Sequence, residues 1–332
     1  MPARYSAEQC LLDGQVVLTL GDRHDGRRLR IARHGAALLG FEVPVAGVLR
    51  DLADGYRSAD EILARPGSRF AIMAPFAGRI GDARYCFDGI AQDLQPGVTG
   101  AQRGSRHGFV RGVEFEVAAL AADEHAAQAT LATAAIRPQP GYPHAIDLAV
   151  EFTLDAAGLT LAARMRNVGD DAAPCFFGWH PYFRLDDRGV TDWQLQIPAR
   201  TLIRTDAELV VLRGPAAYAP VDSAPALDFR TPRRIGDSIL DQEYTDLQAD
   251  PDGRIRTRLR NPAGGLGIAV WQERGVMHAF TADTVSRPRR AIALEPMECM
   301  AGAFDREECA DAIRLRPGEE RVFRCGVEVD AA

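Results

Sequence analysis

The amino-acid sequence predicts an all-β protein, a large single domain built as an antiparallel β-sandwich or barrel with few short helices. Apolar and polar residues alternate in many short segments, as they do in strands that bury one face. Turn residues separate these segments, and the 332-residue chain has 31 glycines and 20 prolines. Helical periodicity is scarce, and strands do not alternate with long helices, so antiparallel sheets are favoured over a wound α/β sheet.

The first half of the chain contains short strand signals. Period-two or apolar runs predict strands at residues 16–20, 28–32, 84–88 and 128–136. A short stretch of helical periodicity predicts a helix at residues 59–64.

The clearest signal is a hairpin with one buried face. Apolar residues occupy every second position from Leu148 to Leu154 and again from Leu159 to Met165. Residues 155–158, with the sequence Asp-Ala-Ala-Gly, predict the turn between these strands. Another strand is predicted at residues 193–197.

A second hairpin is predicted over residues 255–270, with a turn at residues 261–265. Its outer face is a row of arginines, Arg256, Arg258 and Arg260, which we expect to be solvated. The remaining signals predict strands at 291–294 and 321–329 and a helix at 305–314. Because no linker or change of composition divides the chain, we predict one domain over residues 1–332.

The chain has no lysine, so all 39 of its Lys+Arg residues are arginine. This excludes Schiff-base chemistry on a lysine, a GxxxxGK[ST] phosphate loop and a kinase lysine. The sequence also lacks HExxH, GxSxG and a strand-associated GxGxxG, which argues against zinc proteases, α/β-hydrolases and dinucleotide-binding proteins. Catalysis is therefore expected to use histidine, carboxylates, cysteine, tyrosine or a metal.

Charge and hydropathy predict the kind of partner. The net charge is −7 and the arginines are scattered, which argues against nucleic acid and favours a small neutral substrate. The longest apolar stretch, residues 36–49, is interrupted by Glu42 and too short to span a bilayer, so we expect a cytoplasmic protein without membrane contact. Six cysteines without CxxC pairing are expected to be reduced and mostly buried.

His180 is the most informative histidine. It lies in the segment GWHPYFRL, residues 178–185, where the following proline favours extended backbone. Aromatic residues at 179, 182 and 183 suit either stacking on a sugar ring or a core cluster. Glu295 ends an apolar run and also precedes a proline. A carboxylate inside an apolar run costs free energy unless the group is used or paired.

The other histidines carry weaker signals. His107 precedes a glycine, which permits close approach of a ligand or an unusual backbone angle, although a turn histidine explains the pattern too. Surface or structural roles are expected for four histidines: His24, His34, His125 and His278.

Together, several blocks resemble the aldose 1-epimerase (galactose mutarotase) family. They are GWHPYFRL (178–185), RFAIMAPFAGRIGDARYCFDG (69–89), RHGFVRG (106–112), LDFRTPRRIGDSILDQEY (227–244) and IALEPMECMAGAFD (292–305). Their order and spacing cover the chain from about residue 15 onwards. The resemblance implies the galactose mutarotase-like supersandwich, a large antiparallel β-sandwich with an open sugar-binding cleft.

The resemblance also implies residue roles. His180 corresponds to the general acid of the family, and Glu295 corresponds to the general base. Four further positions correspond to substrate-binding residues: Arg79, His107, Asp241 and Phe280. No metal and no cofactor are implied.

Two departures from the family pattern affect the substrate. Gly78 stands where the family commonly has asparagine, which affects hydrogen bonding beside Arg79. The His-Gly-Phe-Val-Arg segment is similar to relatives that include hexose-6-phosphate 1-epimerases, and Arg111 is a possible phosphate or sugar contact.

The function expected from the resemblance is an aldose 1-epimerase that interconverts the α and β anomers of a free aldose by acid–base ring opening. The alternatives are a hexose-6-phosphate 1-epimerase, a non-catalytic carbohydrate-binding module of the same fold and, more distantly, a glycosidase using Asp241 and Glu295. A small-molecule sugar is the expected partner, and the protein is expected to be a monomer or homodimer.

Overall fold

The structure is a computed structural model that describes residues 3–100 and 103–331. The ends of the predicted domain, residues 1 and 332, lie outside the described residues. Within them, no helix is long and apolar enough to cross a membrane.

Strands dominate the described residues. In chain order they are β1 (Tyr5–Leu12), β2 (Gln15–Asp22), β3 (Arg28–Ala32), β4 (Leu38–Val45), β5 (Val48–Asp51), β6 (Ala71–Met73), β7 (Arg79–Ile80), β8 (Arg84–Phe87), β9 (Ile90–Asp93), β10 (Ser105–Arg106), β11 (Glu116–Ala122), β12 (Ala127–Ile136), β13 (Ile146–Leu154), β14 (Gly158–Asn167), β15 (Ala173–Pro174), β16 (Gly178–His180), β17 (Tyr182–Phe183), β18 (Gln194–Gln196), β19 (Ala199–Ile203), β20 (Tyr218–Pro220), β21 (Arg233–Arg234), β22 (Asp241–Leu247), β23 (Ile255–Arg260), β24 (Leu266–Gln272), β25 (Val276–Phe280), β26 (Ile292–Met297), β27 (Arg314–Leu315) and β28 (Glu320–Ala331).

Helices are short. The α-helices are α1 (Ala59–Ala64) and α2 (Ala310–Ile313). Single 3-10 turns lie at Pro66–Ser68, Gly81–Ala83, Val190–Asp192, Gly214–Ala217, Val221–Ser223, Pro225–Leu227, Ala303–Asp305 and Glu307–Cys309. The predicted helix at 59–64 is confirmed, and Ser58 caps it by accepting a hydrogen bond from the Glu61 N–H at 3.2 Å. The predicted helix at 305–314 is instead broken into 3-10 turns and the four residues of α2.

Three large antiparallel sheets and three two-stranded ones account for the strands of the described residues, which confirms the all-β prediction. The largest has nine strands in the order β11-β12-β13-β14-β28-β24-β23-β18-β21. The second has eight, in the order β20-β19-β22-β25-β26-β16-β6, with β17 beside β26. A third sheet contains β1 to β5 in chain order. Leu294 of the eight-stranded sheet and Phe323 of the nine-stranded sheet belong to one hydrophobic core.

The first predicted hairpin is observed as β13 and β14, and its burial alternates residue by residue along β13. The second is observed as β23 and β24. Its arginine face is not a simple solvated surface, because the Arg256 side chain is only 13% exposed and pairs with Asp250, Asp252 and Glu328. Glu328 comes from β28, so the sequence of the hairpin alone does not reveal this network.

All six cysteines are free. Four are buried, as expected, whereas Cys10 and Cys86 are exposed because they lie on outward-facing positions of β1 and β8.

Candidate active site

His180 and Glu295 meet in the eight-stranded sheet. His180 ends β16, and Glu295 lies on β26, which pairs with β16 through Gly178 and Met297. Each precedes a proline, which keeps both backbones extended. The His180 Nε2 atom lies 3.3 Å from Glu295 Oε1. Both residues are buried, with 6% and 3% of their surfaces exposed, so the two side chains form a close acid–base pair with little access to water.

A cleft of about 270 Å³ opens onto this pair. Six of the predicted site residues line it together: Arg79, His107, His180, Asp241, Phe280 and Glu295. They come from separate parts of the chain that the eight-stranded sheet and the neighbouring β7–β10 pair bring together. The cleft is close in size to the smaller ligand pockets of proteins.

Aromatic rings form one wall of the cleft. Tyr182 stacks on the His180 ring with centroids 5.0 Å apart, and it meets Phe280 edge-on at 6.4 Å. Trp179 and Phe183 are fully buried in the core and contact Phe70 rather than the cleft. Of the three aromatic residues predicted around His180, only Tyr182 is therefore available to a ligand.

Burial separates the proton affinities of the pair. Burial, together with the positive charge of His278, lowers the pKa of His180 to about 3. Burial raises the pKa of Glu295 to about 8, although the charge of His278 opposes this shift. At neutral pH the pair therefore holds one titratable proton, and this proton resides on the Glu295 carboxyl.

His278, for which the sequence predicts a surface or structural role, lines the cleft. It lies on β25 directly opposite Glu295 of β26, and its Nε2 atom is 2.9 Å from Asp241 Oδ1. Burial alone would lower the pKa of His278, but Glu295 and the hydrogen bond to Asp241 outweigh it and raise the pKa to about 9. A sequence signal existed: His278 is two residues before Phe280, on the same face of a strand.

Asp241 and Glu243 line the cleft from β22. Burial would raise the pKa of Asp241, but the hydrogen bond with His278 and its charge hold it below the usual value. Glu243 was not predicted. It is buried, accepts a hydrogen bond from the Ala301 N–H at 3.2 Å, and burial raises its pKa to about 7. Its spacing of two residues from Asp241 places both side chains on one face.

Two arginines lie side by side at the cleft. Arg79 of β7 is the register partner of Arg106 of β10, and both line the cleft. In residues 3–100 and 103–331 neither forms a salt bridge with a carboxylate. Burial and then the charge of Arg106 lower the pKa of Arg79. Arg106 was not predicted as a site residue, because only the pairing of β7 with β10 brings it to Arg79.

His107 and Gly108 follow Arg106 in a tight turn. His107 donates its backbone N–H to the Gly78 carbonyl at 3.0 Å, and its ring meets His180 edge-on at 5.2 Å. Burial, followed by the charge of His180, lowers the pKa of His107 well below its usual value. A Cβ atom on Gly108 would lie 2.0 Å from the Ala74 carbonyl oxygen, so this position requires glycine.

Arg111 lies outside the set of residues that line the cleft. Its guanidinium donates hydrogen bonds to Ser68 Oγ at 2.7 Å and to the Arg106 carbonyl at 3.2 Å. Ser68 itself lines the cleft. Arg111 therefore supports two lining residues, and direct contact with a phosphate or sugar stays a prediction.

Gly78 has a structural reason to replace the asparagine common in the family. Its φ is +67°, and a Cβ atom there would lie 2.4 Å from the Cβ of Ala301. The close approach leaves no room for a side chain. Among the residues that the structure describes, the cleft included, no group of three or more histidine, cysteine, aspartate or glutamate residues is arranged to hold a metal ion.

Comparisons with known proteins agree with this architecture. The uncharacterized protein YihR of Escherichia coli (strain K12) is 23% identical over 235 residues, which are 70% of this chain and 71% of that protein. Galactose 1-epimerase from Lactobacillus acidophilus NCFM has a TM-score of 0.81 at 17% identity, and 99% of each chain is covered. A GalM/aldose epimerase homologue from C. elegans has a TM-score of 0.79 at 17% identity, again over 99% of each chain.

The two solved structures share the fold of this protein. A sequence model described as aldose 1-epimerase matches residues 17–328, which is most of the chain. The resemblance in the sequence blocks is thereby confirmed, and the protein belongs to the aldose 1-epimerase family.

Proposed function

We propose that the protein is an aldose 1-epimerase that interconverts the α and β anomers of a free aldose, with His180 as general acid and Glu295 as general base. The observation that supports this proposal is the 3.3 Å separation of His180 Nε2 and Glu295 Oε1 at the cleft. An acid and a base within reach of one bound sugar suit a reaction that moves two protons.

Ring opening transfers protons in opposite directions. The Glu295 carboxylate takes the proton of the C1 hydroxyl, the His180 imidazolium donates a proton to the ring oxygen, and the bond between C1 and the ring oxygen breaks. The open-chain aldehyde then rotates about its C1–C2 bond, and the same steps in reverse close the ring. Each acid–base contribution is typically about 10² to 10⁴-fold.

The proton count of the pair suits this cycle. Before ring opening the pair is imidazolium and carboxylate, and afterwards it is neutral imidazole and carboxylic acid. These two forms hold the same number of protons. The second is the form that the pKa values of His180 and Glu295 favour at neutral pH. Starting from this second form, one proton first moves from the Glu295 carboxyl to His180. Ring closure by the reverse steps then regenerates imidazolium and carboxylate.

The surrounding groups suit a sugar. Asp241, Arg79 and His107 offer charged or polar atoms to hydroxyl groups, and charge-assisted hydrogen bonds orient C1 between acid and base. Tyr182 and Phe280 supply apolar ring faces for the carbon skeleton.

Polarimetry on freshly dissolved α-glucose, α-galactose and arabinose tests the proposal. Glu295→Gln is the variant expected to be inactive. Glu116→Gln is its matched control, because Glu116 is an exposed carboxylate on β11. Wild type and control should accelerate the approach to anomeric equilibrium for at least one sugar. No acceleration with any simple aldose contradicts the proposal. Sugar binding without turnover would favour a carbohydrate-binding module.

A sugar phosphate is a second candidate substrate, and one observation favours it. Arg79 and Arg106 place two guanidinium groups side by side at the cleft without a carboxylate partner among the described residues. Arginines bind phosphate oxygens in bidentate geometry, and a phosphate relieves the repulsion between two adjacent cations.

Competition of glucose 6-phosphate with glucose distinguishes the two substrates. If the phosphate is recognised, glucose 6-phosphate gives the higher kcat/KM, and Arg106→Gln removes that advantage while leaving the rate with glucose similar. Equal kcat/KM values for the two sugars reject the phosphate site.

A further inference from the structure

The geometry points to His278 as a positioning residue of the acid–base pair, a fixed positive charge that eases ionisation of the Glu295 carboxyl. This inference rests on the proposed function, because it explains how a deeply buried glutamate acts as a base. The role differs from that of His180, which exchanges protons with the sugar.

Strand register places His278 beside Glu295. The two residues are direct partners across the antiparallel strands β25 and β26. Side chains of such partners project from the same face, with Cβ atoms about 4.5–5.5 Å apart. Both residues line the cleft.

Asp241 fixes the orientation of the imidazole. Its Oδ1 atom lies 2.9 Å from His278 Nε2, and β22 holds it on the strand next to β25. A carboxylate at this distance stabilises the imidazolium and directs the ring. His278 thus has a carboxylate partner on one side and the Glu295 carboxyl on the other.

The charges that face His278 come from four directions. Strands β22 and β26 contribute carboxyl groups. Strand β16, the paired strands β7 and β10, and the turn after β10 contribute basic groups. These groups are Asp241, Glu243, Glu295, His180, Arg79, Arg106 and His107.

The carboxyl groups dominate the balance at His278. Glu295, Asp241 and Glu243 all raise its pKa, which reaches about 9 in spite of burial, so the ring is cationic at neutral pH. The positive charge of His278 in turn opposes the effect of burial on Glu295, so that the pKa of Glu295 is lower than it would be beside a neutral side chain. Removing this charge should therefore make the Glu295 carboxyl bind its proton more tightly.

Two variants separate charge from structure. His278→Gln keeps a hydrogen-bond donor for Asp241 but removes the charge, whereas His278→Lys keeps a positive charge without the imidazole. His125→Gln is the matched control, because His125 is exposed in the turn between β11 and β12. The measurement is the pH profile of kcat/KM with the best aldose substrate.

The inflection assigned to Glu295 should move up by about one pH unit or more in His278→Gln, as expected for loss of a close opposite charge. It should stay near the wild-type position in His278→Lys and in His125→Gln. A merely structural role lowers the rate without moving the inflection. A lower rate with an unmoved inflection in a folded His278→Gln variant overturns the inference.

A second measurement is independent of turnover. Carbon-13 NMR of protein labelled at the glutamate carboxyl carbons gives the titration midpoint of Glu295, with Glu295→Gln assigning its signal. This midpoint should be higher in His278→Gln than in wild type, and an equal midpoint overturns the inference. If no aldose is turned over, the proposed function fails while this measurement still decides the role of His278.

Labelled histidine provides the test if His278→Gln does not fold. In the wild type, the imidazole signal of His278 should remain that of the protonated ring through pH 8, in line with a pKa of about 9. A midpoint below pH 7 would mean that no fixed charge stands beside Glu295, and the inference would be wrong.

Discussion

Substitution of Gly78 by alanine should damage both the stability and the sugar cleft. The backbone at Gly78 is left-handed, with φ at +67°, which costs an L-residue about 1–2 kcal/mol. The new Cβ would also lie 2.4 Å from the Ala301 Cβ, and such overpacking costs about 1–3 kcal/mol. The free energy of unfolding should therefore fall by about 2–5 kcal/mol.

Gly89→Ala is the matched control for Gly78→Ala. Gly89 also has a positive φ, +76°, but no atom lies within 4 Å of its added Cβ, so only the backbone cost of about 1–2 kcal/mol applies. Urea unfolding measures both variants. If Gly78→Ala is no more destabilising than Gly89→Ala, the close contact with Ala301 does not constrain this position.

Activity should distinguish the same two variants. Gly78 precedes Arg79 and accepts a hydrogen bond from the His107 N–H, so a shift at Gly78 displaces two cleft residues. Displacement by about 1 Å can cost up to about 10²-fold in rate. The value of kcat/KM should fall in Gly78→Ala at temperatures where it is folded, whereas Gly89→Ala should retain wild-type activity.

Three further predictions concern the acid–base pair. Glu295→Gln should lower kcat by about 10² to 10⁴-fold with KM nearly unchanged, and an activity close to wild type would remove Glu295 from the mechanism. The same variant should melt at a higher temperature than wild type at pH 8. The folded pKa of Glu295 is raised to about 8, so folded protein binds this proton more tightly than unfolded protein, and wild-type stability falls as the pH rises from about 4.5 to 8. Glutamine removes this penalty, and equal melting temperatures at pH 8 would contradict the raised pKa. Finally, kcat/KM of the wild type should fall as the pH rises through about 8, because the pair then loses its single proton; a flat profile from pH 6 to 10 would argue against a shared proton.

Much of the fold follows from local sequence patterns. The period-two alternation over β13 and β14 predicts the hairpin, because the apolar face is buried along its whole length. The two-residue and three-residue strands, such as β7 and β16, are too short to show a period. Their pairing with distant segments defines them, and one sequence does not contain that information.

The same distinction applies to the candidate site. His180 and Glu295 are marked by local patterns, each a polar residue before proline beside apolar residues. His278, Glu243 and Arg106 enter the cleft through strand register instead. The pairing of β22, β25 and β26 brings in His278 and Glu243, and the pairing of β7 with β10 brings in Arg106. Gly78 is explained only by its contact with Ala301, a residue distant in sequence.

The most direct test of the acid–base pair is a crystal structure of the wild-type protein with a bound aldose. His180 Nε2 should lie within hydrogen-bond distance of the ring oxygen, while the Glu295 carboxyl should contact the C1 hydroxyl. A sugar bound with C1 and its ring oxygen turned away from both side chains would contradict it.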